Sequence, residues 1–254
     1  MPIPKHSANR AFAQVSRLEL RLRQAQDQRR ADAARLARLP RPQRRDQVAR
    51  RRLLQREAAL GIARVEGAFP ADHPYRLSLA GVRARYGDAA YPGSPLLAAM
   101  ALREGDVMHL AELHPQEHAA LVGLLGPWGA HVQKRDGYEM ALAVTPPTPR
   151  RGMLLIDPSY EVKAEYQTIP KVIGQIVRKW NVGIVALWYP ILTDAPHRPM
   201  LETLMTAHPD ALRHELRFPP VRDGHRMVGT GMWMLNYPFP YEATSTALDR
   251  KSVV

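Results

Sequence analysis

Residues 107–236 predict an α/β fold on a mostly parallel sheet covered on both faces. Two observations carry this. Runs such as GMLLI (152–156) and GIVALW (183–188) are apolar throughout rather than alternating, as strands buried on both faces are. Segments with helical spacing separate them, most plainly residues 161–180. A chain of 254 residues, 45% of them hydrophobic, is long enough to bury such a core in one or two domains.

Taken in order, the chain begins with a different kind of sequence. Residues 1–60 carry 16 Lys+Arg against 5 Asp+Glu, a net of +11 out of a total of +12, with one aromatic (Phe12) and no glycine. Within them, 13–39 are strong helix formers whose narrow apolar stripe (Leu18, Leu22, Ala25) is broken by arginines. The Leu39-Pro40-Arg41-Pro42 segment stops that helix, and 43–60 resume it. The expectation is a basic arm, helical or disordered, over 1–60, an α/β domain over 61–245 and a tail over 246–254.

From residue 61 onward the texture is that of a folded domain. Val107–Leu113 reads as a strand, Leu121–Leu125 as part of a helix ending at Gly126-Pro127, and Ala130–Lys134 as a short strand. Gly152–Ile156 is the next strand. The helix over 161–180 is expected to kink or split at Pro170. Gly183–Trp188 follows, closed by Tyr189-Pro190. Residues 199–207 are helical, and Leu212–Phe218 and Val228–Asn236 are the last strands, joined closely enough for an antiparallel pair. No internal repeat is visible.

Composition excludes several classes. With no cysteine there are no disulfides, thiolate metal sites, iron–sulfur clusters or cysteine nucleophiles. No run approaches the ~18 apolar residues of a membrane span, and the N-terminus lacks the apolar core of a secretion signal. A soluble cytoplasmic protein is expected.

Four segments carry candidate chemistry. In Leu154–Tyr160 a buried strand delivers Asp157 at its carboxyl end, where open α/β sheets bind ligands. Proline stiffens the turn, and Tyr160 follows three residues after the acid. That arrangement suits a flat polar base, the carboxylate accepting from an exocyclic amine and the ring stacking. The same residues also make an ordinary Asp-Pro turn with Tyr160 over the sheet edge. Tyr91-Pro92-Gly93-Ser94-Pro95 is a rigid loop opening a helix, where Ser94 can cap the helix or donate to a ligand. Glu112, at the end of a strand, can grip ribose hydroxyls or lie on the surface. His114 can serve as a base but reads better as a loop histidine. Asp136-Gly137 can bind an adenine amine or form a plain Asp-Gly turn.

Together and in order, these segments resemble the RlmJ-type adenine-N6 methyltransferases of bacterial large-subunit ribosomal RNA. The resemblance spans residues 57–240 through YPGSP (91–95), ELHP (112–115), DG (136–137), RRGMLLIDPSYE (150–161), ALWYP (186–190) and GTGMWMLNYP (229–238). It implies a class I, Rossmann-like fold, S-adenosyl-L-methionine as cofactor and 23S ribosomal RNA as partner, with no metal and no membrane, in a monomer. It implies cofactor contacts at Ser94, Glu112, Asp136, Gly137 and Asp157. It also implies that Asp157 and the Pro158 carbonyl accept from the target amine and that Tyr160 stacks on the adenine. The family's loop is Asp-Pro-Pro-Tyr; here Ser159 takes the third position.

One family feature is missing. The Asp-x-His-Ala-Gly-x-Gly loop after the first strand has no counterpart in the glycine-free residues 1–60, so the sheet is expected to lack its first βα unit. Three readings compete: an out-of-frame stretch of a GC-rich gene, a natural variant with a degenerate cofactor site, or an RNA-binding replacement arm. The first is favoured. The resemblance makes an RNA methyltransferase the leading function, with a non-catalytic RNA-binding protein and a DNA adenine methyltransferase behind it.

Overall fold

The computed structural model describes residues 66–88, 90–218 and 224–238. The expected arm (1–60) and tail (246–254) lie outside the described residues. The chain forms two units, one taking residues up to 110 plus 114–133, the other 111–113 and those from 134 onward.

In the first unit, helix α1 (Pro74–Tyr86) starts on a proline whose fixed φ suits a first helical position. His73 caps it, its Nδ1 accepting from the Tyr75 N–H at 3.2 Å. The Arg83 guanidinium grips both oxygens of Glu66 at 2.7 and 2.9 Å, tying the preceding 3-10 turn to α1. Helix α2 (Ser94–Ala101) is capped by Gly93, so Ser94 is its first residue and not its cap. Strand β1 (His109–Ala111) pairs with β2 (His131–Gln133), and helix α3 (Pro115–Leu125) lies between them in sequence. Val82, Leu96, Ala99, Met100, Leu125 and Trp128 form the core. Both strands are shorter than their apolar runs, because a strand extends only where a neighbour supplies a ladder; Val107 and Leu113 lie outside it, largely exposed.

The second unit is a four-stranded sheet with three helices. Helix α4 (Gly137–Val144) leads into β3 (Met153–Ile156), α5 (Glu165–Lys179), β4 (Ile184–Leu192), α6 (His197–Ala207), β5 (Leu212–Arg217) and β6 (Met227–Leu235). The strand order is β3-β4-β6-β5. β3 runs parallel to β4, while β6 is antiparallel to both β4 and β5. Three of the four strands therefore point the same way, and the last two form the expected antiparallel pair. Ile156, Val185, Leu187, Tyr189, Ile191 and Trp233 on one face pack against Ile169 and Ile173 of α5 and Met200, Leu201 and Leu204 of α6.

Two elements differ from the sequence reading. Helix α5 is not split at Pro170 but runs through it. Proline costs a single bond there, and the fully buried Ile169, Ile173 and Ile176 hold the turns on either side against the sheet. Strand β4 runs through Tyr189-Pro190 instead of ending before it. The last residue of β4 paired to β3 is Leu187, so Pro190 faces no ladder on that side that would need its missing N–H.

Among the described residues, no strand precedes β1, and the strands fall into two separate sheets. β3 is paired on one edge only. Its Met153 and Leu155 remain 58% and 40% exposed, unusual for an apolar strand in a parallel pair.

Candidate active site at the carboxyl end of the sheet

Ile156 ends β3 in the core, and Asp157 follows directly at the carboxyl end of the strand. The Asp157 residue reaches the surface, yet the protein around its carboxyl removes enough water to push its pKa above the usual 3.8. Pro158 is half-buried and Ser159 exposed. The Ser159 hydroxyl accepts from the Glu161 N–H at 3.4 Å, a long local bond that closes the loop where the family pattern has a second proline.

Tyr160 turns inward. Its φ of +56° is left-handed, rare for a bulky side chain and of the kind found at functional loops. Its ring is 9% exposed, lies 4.9 Å from that of Tyr166 and 6.1 Å from that of Trp188, and its hydroxyl donates to the Trp188 carbonyl at 2.6 Å. Burial first, then the neighbouring Tyr138, Tyr166, Asp157 and Glu165, hold its phenol well above the ordinary range.

That list of neighbours defines the site. Tyr138 and Glu165 were not singled out from sequence. Tyr138 is the second residue of α4, directly after Asp136-Gly137. Its hydroxyl donates to Glu165 Oε1 at 3.3 Å, joining the start of α4 to the start of α5. Burial, followed by the Glu165 charge, raises its phenol so that it stays a donor. Glu165 Oε2 is buried and has no hydrogen-bond partner among the described residues. A buried carboxylate oxygen left unsatisfied is costly and open to a donor from outside the chain. Tyr138 carried a signal, standing beside the Asp-Gly pair; Glu165, 27 residues further on, carried none.

The other sequence-picked residues are placed as follows. Asp136 caps α4, its Oδ1 accepting from the Glu139 N–H at 2.9 Å, and Gly137 begins the helix. A Cβ on Gly137 would meet only the Ala111 Cβ, at 4.0 Å, so the backbone there lies open to close approach. Glu112 follows the last residue of β1 and is half-buried. His114 caps α3. Asp157, Tyr160, Tyr138 and Glu165 are thus brought together, while Ser94, exposed at the head of α2, belongs to the other unit. Among the described residues no cluster of three or more His, Asp or Glu could hold a metal, and no helix is long and apolar enough to cross a membrane.

Two carboxylates and three tyrosines at the carboxyl end of an α/β sheet suit a planar, amine-bearing substrate. Comparison with known proteins gives the family. Two curated relatives are named ribosomal RNA large subunit methyltransferase J. The Escherichia coli K12 protein is 38% identical over 154 residues, 60% of this chain and 55% of its own. The Haemophilus influenzae protein is 33% identical over 169 residues, 66% of this chain and 59% of its own. The chain therefore spans less than two thirds of the length of either. A crystal structure of a Legionella pneumophila protein superposes with a TM-score of 0.67 at 29% identity, covering 75% of this chain and 72% of that one. The family described as ribosomal RNA large subunit methyltransferase D, RlmJ, matches residues 55–250. On that match, which takes in every strand among the described residues and the whole Asp157 loop, the chain belongs to the RlmJ family of ribosomal RNA large-subunit methyltransferases.

Proposed function

We propose that this protein transfers a methyl group from S-adenosyl-L-methionine to the exocyclic N6 of an adenine in 23S ribosomal RNA. The observation that carries the reading is Asp157 at the carboxyl end of β3, partly desolvated and grouped with Tyr160, Tyr138 and Glu165.

The residues suit the cofactor. Glu112, half-buried past the end of β1, offers acceptors to a ribose diol. Asp136 uses one oxygen as a helix cap and keeps the other for an adenine amine, and Gly137 leaves room beside it. Ser94 is a further contact by sequence position alone. When bound, the cofactor supplies an electrophilic sulfonium methyl group. The chain's own residues do the rest. The adenine amine is a weak nucleophile because its lone pair is delocalised into the ring. Asp157 and the Pro158 carbonyl accept its hydrogens, favour tetrahedral nitrogen and aim the lone pair. Asp157 then takes the released proton. Acceleration comes from positioning and from electrostatics in a partly dry site. For Tyr160 to stack on the base, its hydroxyl must leave the Trp188 carbonyl.

The test is methyl transfer from labelled S-adenosyl-L-methionine to unmodified large-subunit RNA, with the same assay on DNA alongside. Wild type is expected to label RNA and not DNA. Asp157→Ala should lower the rate by about 10²–10⁴-fold, the usual range for a positioned acid or base. Wild type no more active than Asp157→Ala would overturn the proposal.

A further inference from the structure

Beyond the catalytic loop, the sheet presents a cluster that the reaction itself does not use. On β5, Arg213, Glu215 and Arg217 alternate onto one face. Glu215, only 16% exposed, accepts from the Tyr189 hydroxyl at 3.1 Å. It also lies 3.6 Å from the Arg213 guanidinium and 3.5 Å from that of Arg217. Tyr189 reaches it across the intervening strand, over Gly231: the register runs Tyr189, Gly231, Glu215, and a Cβ on Gly231 would fall 2.1 Å from the Tyr189 ring. Under Tyr189 stacks His197, at 5.7 Å and 19°, in the first turn of α6 beside the exposed Arg198. The charges of Arg198, Arg213, Arg217 and Glu215 all reach His197. Burial lowers the pKa of that imidazole.

The result is two guanidinium groups on one carboxylate, with the exposed Arg198 next to His197 in the first turn of α6. Arg213 and Arg217 keep half or more of their side-chain surface, 50% and 60%. A single buried anchor orders two cations that still face water. That is a poor device for stability, since exposed ion pairs contribute little. It is a good one for presenting charge to an external anion.

Register fixes where the cations point. Ile156 pairs with Leu187, Leu187 with Trp233 and Trp233 with Arg213. Arg213 is therefore level with the residue before Asp157, and Arg217, in line with Gly229 and Ile191, stands beyond it at the same end of the sheet. Three strand spacings separate β3 from β5, about 14 Å. At a rise of ~3.4 Å per stacked nucleotide, this is the reach of about four nucleotides.

We propose that Arg198, Arg213 and Arg217 form a phosphate-binding rim that holds the RNA backbone a few nucleotides from the target adenine. The proposal rests on the RNA reading above and deepens it. Arginine suits the role because its planar fork binds phosphate oxygens in pairs.

The experiment measures affinity of the full-length protein for a large-subunit RNA fragment over a range of salt concentrations, with methyl transfer followed in parallel. Arg213→Gln/Arg217→Gln is expected to weaken binding and to lower the slope of log affinity against log salt by about 1.4–1.8, two contacts at 0.7–0.9 each. Arg198→Gln, on an exposed helix position, should lower it by about half that. Arg213→Lys/Arg217→Lys should keep the slope, which separates lost charge from lost fold. Affinity for S-adenosyl-L-methionine and the thermal midpoint should match wild type in all three. An unchanged slope in the glutamine variants, no RNA binding by wild type, or a lysine variant as weak as the glutamine one would overturn the rim. A lowered slope in a protein that methylates no RNA would leave the rim standing and remove the enzymatic reading alone.

Discussion

Asp157 works against the stability of its own fold. Its carboxyl is harder to ionise in the native protein than in the unfolded chain, because burial strips its water. Stability from this group is complete below the unfolded pKa and is lost as pH rises through the higher folded one. Asp157→Asn should therefore raise the thermal midpoint at neutral pH while abolishing methyl transfer. Equal midpoints for wild type and variant across pH 4–8 would contradict this. If Asp157 is the acceptor proposed above, the same shift should place the acid limb of kcat/KM in wild type above 3.8. Tyr160→Phe, which strands the Trp188 carbonyl, should cost about 1–2 kcal/mol in denaturant unfolding. Asp157 and Tyr160 were legible in the sequence because they share one short tag. Tyr138 carried only its place beside the Asp-Gly pair, and Glu165 nothing, because it is the packing of α4 beside α5 that joins them.

At the scale of elements, β6 is shaped by what crosses it. Gly231 gives up a side chain so that Tyr189 of β4 can lie over the strand, and a Cβ on Gly229 would meet first the Leu216 carbonyl and then Ile191. Gly231→Ala should destabilise by about 1–3 kcal/mol, the usual cost of overpacking. Replacing Tyr189 by Leu in the same chain should recover part of that loss, as chemical denaturation would show; no recovery would mean the ring is not what the methyl group meets. The GTGMWMLNYP tag was visible in sequence, but the need for its glycines was not, since it depends on cross-strand register. The strands of the four-stranded sheet were legible within a residue or two at most ends. The exceptions were places where a neighbour decides: β4 continues past Pro190 because β3 has already ended, and β1 and β2 stop early because their ladder is short.

For the whole molecule, the charge of +12 invites a simple electrostatic reading, and the sequence assigns nearly all of it to residues 1–60. The nearly neutral remainder is not evenly neutral. The fold sets Arg213 and Arg217 on a single carboxylate at the end of the sheet that bears Asp157, and Arg198 beside the His197 ring that stacks on Tyr189. Composition averages could not reveal this, because strand order and register create it. Order and register also decide how firmly the proposed catalytic acid is held. β4 has a neighbour on each side, whereas β3, which ends one residue before Asp157, is bonded to β4 alone among the described residues. Its four-residue ladder should open without the sheet unfolding. In hydrogen–deuterium exchange, amides of 153–156 should exchange faster than those of 185–189, and ligand binding should slow them selectively. On that expectation, the strand that carries the proposed acid relies on occupancy of the site as well as on its one described neighbour to keep it in place.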